Sequence, residues 1–133
     1  MMILNPTGKE IRSDDAGDGH YHAKRGSRLH EGVDFVCVLH GPVLMPVTGK
    51  IIRLCYPYAD KSYSGVYIKG DWCDIKMFYF KPNLDLIGKM VNQGDVIGSA
   101  QDITNRYQNQ GMTPHIHLSI TSISKNPELY LRN

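Results

Sequence analysis

The sequence predicts a mostly β protein, built as a single domain of antiparallel sheets with at most one short helix. From residue 30 onward, short runs rich in β-branched and aromatic residues alternate with Gly, Pro, Asn or Asp, the pattern of strands separated by turns. The chain has 133 residues, of which 41% are hydrophobic, enough for one compact domain. Such a series of strands favours antiparallel pairing.

The elements follow in chain order from an N-terminal arm. Residues 1–29 are polar and rich in Gly, Asp and Arg, which predicts an irregular arm packed on a β domain that spans 30–133. Only the stretch 102–107 suits a helix of one or two turns, with Asp102 as its cap. The predicted strands cover 33–39, 43–45, 48–56, 64–70, 73–80, 95–100 and 114–123.

The last predicted strand contains a pair of histidines, His115 and His117. Alternate residues of a strand point to the same side. Both imidazoles should therefore face one groove, while Ile116 and Leu118 face the core. Spacing alone does not say which of the two histidines binds a metal.

A second pair of polar residues, His30 and Asp34, lies some eighty positions earlier. Four residues of straight strand span about 13 Å, whereas the ligands of one zinc ion must converge with bonds of about 2 Å. The chain should therefore bend between them, and Gly32 at the middle is free to adopt an unusual conformation. His, Asp and His are ligand types that a catalytic zinc prefers, and three protein ligands leave one position for water.

Together the two motifs, His30-x-x-x-Asp34 and His115-x-His117, resemble those of the lysostaphin-type (LytM-like) zinc metallopeptidases. The stretch 46–52 resembles a strand of that family, and 91–98 resembles one of its hairpins. Within the family, 28–34 and 76–82 are most similar to a subgroup that includes leukocyte cell-derived chemotaxin and bacterial or phage relatives. The resemblance implies that the sheets form an open groove walled by loops.

The resemblance also implies roles for five residues. Zn²⁺ would be held by His30, Asp34 and His117, and His115 would be catalytic. Active members carry a second catalytic His on a central strand, where this chain has Tyr79 or, with a register shifted by one residue, Phe80. A phenol can donate a hydrogen bond to a developing oxyanion; alternatively, Tyr79 packs in the core.

The function implied is a zinc metalloendopeptidase that hydrolyses peptide bonds in the stem or cross-bridge peptides of bacterial peptidoglycan. The alternative is a non-catalytic zinc-binding signalling or recognition protein, as the chemotaxin in the same subgroup is regarded to be. A regulator of other cell-wall enzymes is disfavoured, because such relatives usually lose zinc ligands and this chain keeps all three.

Composition and charge restrict the partners and the cellular location that we expect. The net charge is +2 with scattered Lys and Arg, so nucleic-acid binding has little support. The basic cluster 24–28 could attract an anionic substrate or be a solvated loop.

No apolar run reaches about 18 residues, so we expect no membrane span, and the apolar part of 1–6 is too short for a secretory signal. We expect a monomer acting in the periplasm or outside the cell, by an export route that this sequence does not identify.

Three cysteines, Cys37, Cys55 and Cys73, lack the spacing of a zinc ribbon or a redox pair. One of them must remain unpaired within a monomer. Cys37 lies three positions beyond Asp34 on one predicted strand, so it should point to the opposite face and be buried. We expect free thiols, with a bond involving Cys55 as the alternative.

Overall fold

The computed structural model describes residues 2–21, 24–25, 28–29 and 32–123, with the backbone alone for 24–25 and 28–29. Among these residues, no helix is long and apolar enough to cross a membrane. Two single turns of 3₁₀ helix span Leu84–Leu86 and Ile103–Asn105. The strands, numbered in chain order, are β1 Ser13–Asp14, β2 Gly17–Asp18, β3 Lys24–Arg25, β4 Arg28–Leu29, β5 Val33–Val36, β6 Pro42–Leu44, β7 Gly49–Cys55, β8 Gly65–Gly70, β9 Cys73–Phe78, β10 Phe80–Pro82, β11 Met90–Val91, β12 Val96–Ala100 and β13 His115–Ile123.

Two antiparallel sheets organise these strands. The larger sheet has six strands in the order β11-β7-β8-β9-β13-β5, and the smaller has the order β10-β12-β6. The strand pairs β1-β2 and β3-β4 form two separate hairpins of the N-terminal arm. The mostly β, antiparallel fold class that the sequence predicts is therefore confirmed.

Side chains from both sheets pack together in the hydrophobic core of the described residues. Ile116 and Leu118 of β13 are buried in it, which confirms the alternation predicted for that strand. Cys37 is buried in the same cluster, as expected from its spacing to Asp34. Other members from the larger sheet are Ile51, Val66, Ile68, Cys73, Ile75, Met77 and Val91, and those from the smaller sheet are Val43, Phe80, Ile97 and Ala100.

The opposite side of the larger sheet, which we call the open face, is polar. The strand register places Arg53 beside Tyr67, Tyr67 beside Lys76, and Lys76 beside Ser119. Arg53 is exposed and the other three are half-buried. His117 lies two positions before Ser119 on β13, so the row of side chains on this face ends at the histidine.

The predicted strand 73–80 is interrupted at Tyr79, which corrects the sequence prediction. Tyr79 has φ of 81°, a left-handed conformation that a bulky residue rarely adopts. The chain therefore leaves the larger sheet after β9 and enters the smaller sheet as β10. The N–H groups of Tyr79 and Phe80 both donate to the Ser64 carbonyl, at 2.9 and 3.2 Å, and fix this switch.

The stretch 91–98 also differs from the hairpin it resembles. Gly94 has φ of 93°, and the Asp95 N–H donates to the Asn92 carbonyl at 3.1 Å, so a tight turn is present. Its flanking strands do not pair with each other, because β11 pairs with β7 while β12 pairs with β6 and β10. The turn thus links two sheets.

The helical turn expected after residue 102 is present, and the Asp102 carboxylate accepts the Thr104 N–H at 3.0 Å as its cap. The turn at Leu84–Leu86 is additional to the single short helix that the sequence predicts, and Asn83 caps it.

Candidate metal and catalytic site

Strand register brings the proposed site residues together. On β13, His117 lies opposite Phe78 of β9 on one side and opposite Asp34 of β5 on the other. Because cross-strand neighbours have Cβ atoms about 5 Å apart, residues 83 positions apart in the chain come into contact. The Nδ1 atom of His117 lies 2.9 Å from Oδ1 of Asp34.

Asp34 and His115 are deeply buried beside this contact, with 2% and 4% of their surface exposed. Nε2 of His115 lies 3.7 Å from Oδ2 of Asp34. The side chain of His117 is 17% exposed, so it lies closer to solvent. Both histidines thus meet the same carboxylate, as expected if they face one groove.

Local hydrogen bonding sets the tautomer of His115. Its Nδ1 lies 2.8 Å from the Thr113 carbonyl. A carbonyl can only accept, so Nδ1 must carry the proton and Nε2 presents a lone pair. Burial lowers the pKa of His115, against the opposing effect of the Asp34 carboxylate, which favours the neutral imidazole.

His30 lies outside the described residues, as does the predicted bend at 30–31. Among the residues that the structure describes, no group of three or more His, Cys, Asp or Glu side chains is placed to hold a metal. Two of the three proposed donors, Asp34 and His117, are described, and they are in contact. A carboxylate oxygen and an imidazole nitrogen 2.9 Å apart suit donors that converge on one zinc ion, so the described donors fit the metal that the sequence predicts.

Gly32 has a spatial reason for being glycine, in addition to the conformational freedom that the sequence predicts for it. A Cβ at this position would lie 2.4 Å from the Leu118 carbonyl oxygen and 2.7 Å from Cε1 of His117. Only glycine lets the chain pass so close to the His117 ring.

Tyr79 lies against both histidines. Its ring centroid is 5.4 Å from that of His115, in an edge-to-face arrangement, and 6.4 Å from that of His117. Burial raises the pKa of the Tyr79 phenol, so it stays protonated at neutral pH and can donate a hydrogen bond. Strained backbone of this kind is concentrated at functional sites.

Three further tyrosines surround Tyr79, and we call the four together the aromatic wall: Tyr58, Tyr63, Tyr79 and Tyr107. The hydroxyl of Tyr58 lies 2.6 Å from that of Tyr107, and its ring stacks on that of Tyr79 with centroids 6.5 Å apart. The ring of Tyr63 packs edge-on against Tyr79 at 6.2 Å, and its hydroxyl donates to the Asp102 carbonyl at 2.8 Å. Outside the wall, the Arg106 guanidinium stacks 3.6 Å from the centroid of Tyr58.

Arg12 is a site residue that the sequence does not reveal. It is 3% exposed, and both its Nε and Nη2 atoms lie 3.1 Å from Oδ2 of Asp34. Its position in a polar arm, 22 residues before its partner, carries no local signal of burial. Its contact with Asp34, a proposed metal ligand, depends on how the arm packs against β5.

The three cysteines are buried thiols without disulfide partners. Burial, with a smaller effect from the Asp102 carboxylate, raises the pKa of Cys37 to about 11. Burial also raises the pKa of Cys73 to about 11. These thiols are therefore protonated at neutral pH and are poor nucleophiles.

Comparisons with known proteins identify relatives in sequence and in fold. No protein-family profile matches the chain. Leukocyte cell-derived chemotaxin-2 of Bos taurus is 37% identical over 134 aligned residues, which cover 98% of this chain and 85% of that protein. The structure of lysostaphin from Staphylococcus simulans superposes with a TM-score of 0.63 at 18% identity, covering 92% of this chain and 47% of that one.

A zinc-containing peptidase from Vibrio cholerae superposes with a TM-score of 0.60 at 22% identity, covering 90% of this chain and 36% of that one. At these identities the likeness shows the fold, and the chain spans about half or less of the two peptidases. The curated relative covers nearly the whole chain and carries the stronger argument. The chain belongs to the lysostaphin-type (LytM-like) family, in the subgroup that contains leukocyte cell-derived chemotaxin-2.

Proposed function

We propose that this chain is a zinc-dependent endopeptidase that hydrolyses peptide bonds in bacterial peptidoglycan, acting as a monomer outside the cytoplasm. The observation that carries the proposal is the meeting of His115, His117 and Asp34 at one end of the open face, with a protonated phenol against the histidines. A fold shared with peptidases supports it.

The proposed metal ligands are His30, Asp34 and His117. When bound, zinc supplies a Lewis acid that polarises a scissile carbonyl and makes water more acidic. Asp34 suits the role of ligand because its Oδ1 faces His117 while Oδ2 is held by Arg12. Its carboxylate is thus oriented before a metal arrives.

His115 is the proposed general base and acid. Its Nδ1–H is held by the Thr113 carbonyl, so the unprotonated Nε2 faces the site. That nitrogen takes a proton from the attacking water and returns it to the leaving amine. Because burial lowers the pKa of His115, the basic form is the resting form.

Tyr79 is the proposed donor to the developing oxyanion. Its raised pKa keeps the phenol protonated, and its ring lies edge-on against that of His115, the proposed base. One donor aimed at an oxyanion contributes about 3 kcal/mol to a reaction of this kind. The phenol thus replaces the second catalytic imidazole of active family members.

The open face suggests a substrate with free carboxylates. Lys50, Arg53, Lys69 and Lys76 share this face with the carboxylate of Asp74, which leaves an excess of positive charge. Acidic stem peptides lying along it would reach His117 at its end. The side chains of the basic cluster 24–28 lie outside the described part of the chain, so the open face carries this argument.

The test is hydrolysis of purified peptidoglycan by the zinc-loaded full chain, with mass analysis of the released fragments. We expect cleared zones and new peptide termini from the parent, and neither from His115→Ala or His117→Ala variants that retain the parent's circular dichroism. A parent that carries zinc and releases no fragments would contradict the peptidase function.

The second candidate is recognition without hydrolysis. Two observations favour it, namely the 37% identity to a chemotaxin and the tyrosine in place of a catalytic histidine. In that case the groove binds a receptor, glycan or peptide and releases it intact. Binding of peptidoglycan fragments by the parent without any cleavage would select this function over the first.

A further inference from the structure

Arg12 is a buried cation whose guanidinium contacts two carboxylates. An isolated charge is costly to bury unless it is paired and hydrogen-bonded. On one side, Nε and Nη2 of Arg12 reach Oδ2 of Asp34 at 3.1 Å. On the other side, Nη1 donates to Oδ1 of Asp14 at 2.8 Å, with a longer contact of 3.4 Å to the Gly17 carbonyl.

Asp14 extends this network to the loop before β13. Its Oδ2 accepts the Thr113 N–H at 2.7 Å, and the Thr113 carbonyl accepts the His115 Nδ1–H. Burial raises the pKa of Asp14, but the Thr113 N–H and the Arg12 guanidinium outweigh this and lower it. A continuous chain of contacts therefore runs from Asp34 through Arg12 to the segment that orients His115.

Backbone contacts hold Arg12 in place independently of its side chain. Its N–H donates to the Asp34 carbonyl at 2.8 Å, and its own carbonyl accepts the Gly19 N–H at 2.7 Å. The Asp34 N–H in turn donates to the Gly19 carbonyl at 2.8 Å. A Cβ at Gly19 would lie 2.7 Å from Cβ of Asp34 and 2.9 Å from that of Arg12, so the arm and β5 are as close as backbones allow.

We infer that Arg12 is a positioning residue of the proposed metal centre, which orients the Asp34 carboxylate with Oδ1 toward His117 and, through Asp14, fixes the segment that carries His115. The inference rests on the zinc site of the proposed function. Partners that hold a metal ligand in orientation typically change metal affinity by about 10- to 100-fold. The planar fork of arginine fits this task better than the single ammonium of lysine.

The test measures zinc affinity of the full chain by chelator competition, for the parent and for Arg12→Met, Arg12→Lys and Asp14→Asn. We expect the Kd for zinc to rise about 10- to 100-fold in Arg12→Met, and less in Arg12→Lys, which keeps the charge. Asp14→Asn retains the contact between Arg12 and Asp34 and should bind zinc nearly as the parent does. Lys9→Met, an exposed change on the same arm, is the matched control.

A spectroscopic readout separates positioning from a merely structural role. At saturating Co²⁺, the visible absorption reports the geometry of the bound metal, and we expect an altered spectrum in Arg12→Met. Parent-like zinc affinity together with a parent-like Co²⁺ spectrum would overturn the inference. If Arg12→Met does not fold, a parent-like Kd and spectrum in Arg12→Lys overturn it, because one ammonium cannot reproduce both contacts to Asp34.

Failure of the proposed peptidase function gives a different result. A parent that binds zinc and leaves peptidoglycan intact removes the peptidase, while the order of zinc affinities among the variants still tests Arg12. A parent without zinc affinity overturns the positioning role itself.

Discussion

The two sides of the candidate site are built by different means. Asp34, His115 and His117 lie on adjacent paired strands, and the ladder between β5 and β13 sets their separation. The aromatic wall instead comes from loops and from the switch at Tyr79, where the chain passes between sheets. Backbone hydrogen bonds thus fix Asp34, His115 and His117, which we call the metal side because of their proposed role. The aromatic wall is fixed by side-chain contacts between segments distant in sequence.

This difference predicts unequal tolerance to mutation. A residue on the metal side belongs to a buried network of charges, so its loss affects both metal binding and stability. A residue of the wall belongs to neutral hydroxyl and ring contacts, each worth about 1 kcal/mol. Substitutions in the aromatic wall should therefore each cause a small loss of stability or activity, whereas a substitution on the metal side should cause a large one.

The largest expected effect is that of Asp34→Ala. The change removes a proposed ligand and leaves the buried Arg12 guanidinium facing a cavity. Removing one partner of a buried ion pair lowers the free energy of unfolding by about 3 kcal/mol or more. We expect no stoichiometric zinc and a lower free energy of unfolding in urea for the metal-free protein. Asp95→Ala, an exposed carboxylate on a turn, is the control, and equal losses in both variants would contradict the comparison.

Tyr79→Phe should show the next largest effect. The ring contacts with His115 and His117 remain, while the proposed donor to the oxyanion is lost, so we expect kcat to fall about 100-fold with zinc stoichiometry unchanged. Tyr56→Phe, an exposed tyrosine on a neighbouring loop, should leave kcat as in the parent. Unchanged turnover in Tyr79→Phe would remove the phenol from the mechanism.

Tyr58→Phe should have a smaller effect. It removes the hydroxyl that contacts that of Tyr107, so we expect about 1 kcal/mol less stability to urea. Because the Tyr58 ring also stacks on Tyr79, we expect kcat to fall several-fold. A loss as large as that of Asp34→Ala would show that the wall is no more tolerant than the metal side.

The smallest effect is expected on the open face, from Lys76→Glu. Reversal of one half-buried charge should raise KM for acidic peptides several-fold at low salt, and the effect should shrink at high ionic strength because exposed charges are screened. Lys81→Glu, exposed on β10 of the smaller sheet, serves as the control. Identical KM values in the two variants would argue against a carboxylate-binding surface.

The sequence predicts the structure best where the two-residue period of a strand decides which side chains are buried. Alternation in 115–118 predicts which residues enter the core and which face the groove, and the structure places Ile116 and Leu118 accordingly. Because period two is a property of any strand, no knowledge of distant contacts is needed. The capped turn at Asp102 is predictable for the same reason, since its hydrogen bond is local.

The remainder depends on contacts that no local pattern encodes. Nothing near Arg12 marks it as buried, because its partner lies 22 positions away. The left-handed Tyr79 divides a run that reads as one strand, since the switch depends on two N–H groups reaching the Ser64 carbonyl. For Gly32, the close approach of the His117 ring is a reason that no local pattern encodes.

The most direct test of the central claim is an anomalous diffraction map recorded at the zinc edge from zinc-loaded crystals of the full chain. We expect one strong peak about 2 Å from Oδ1 of Asp34, from His117 and from His30, with His115 nearby and not bonded to the metal. A fully occupied peak elsewhere, or zinc bound without contact to Asp34 and His117, would contradict this claim.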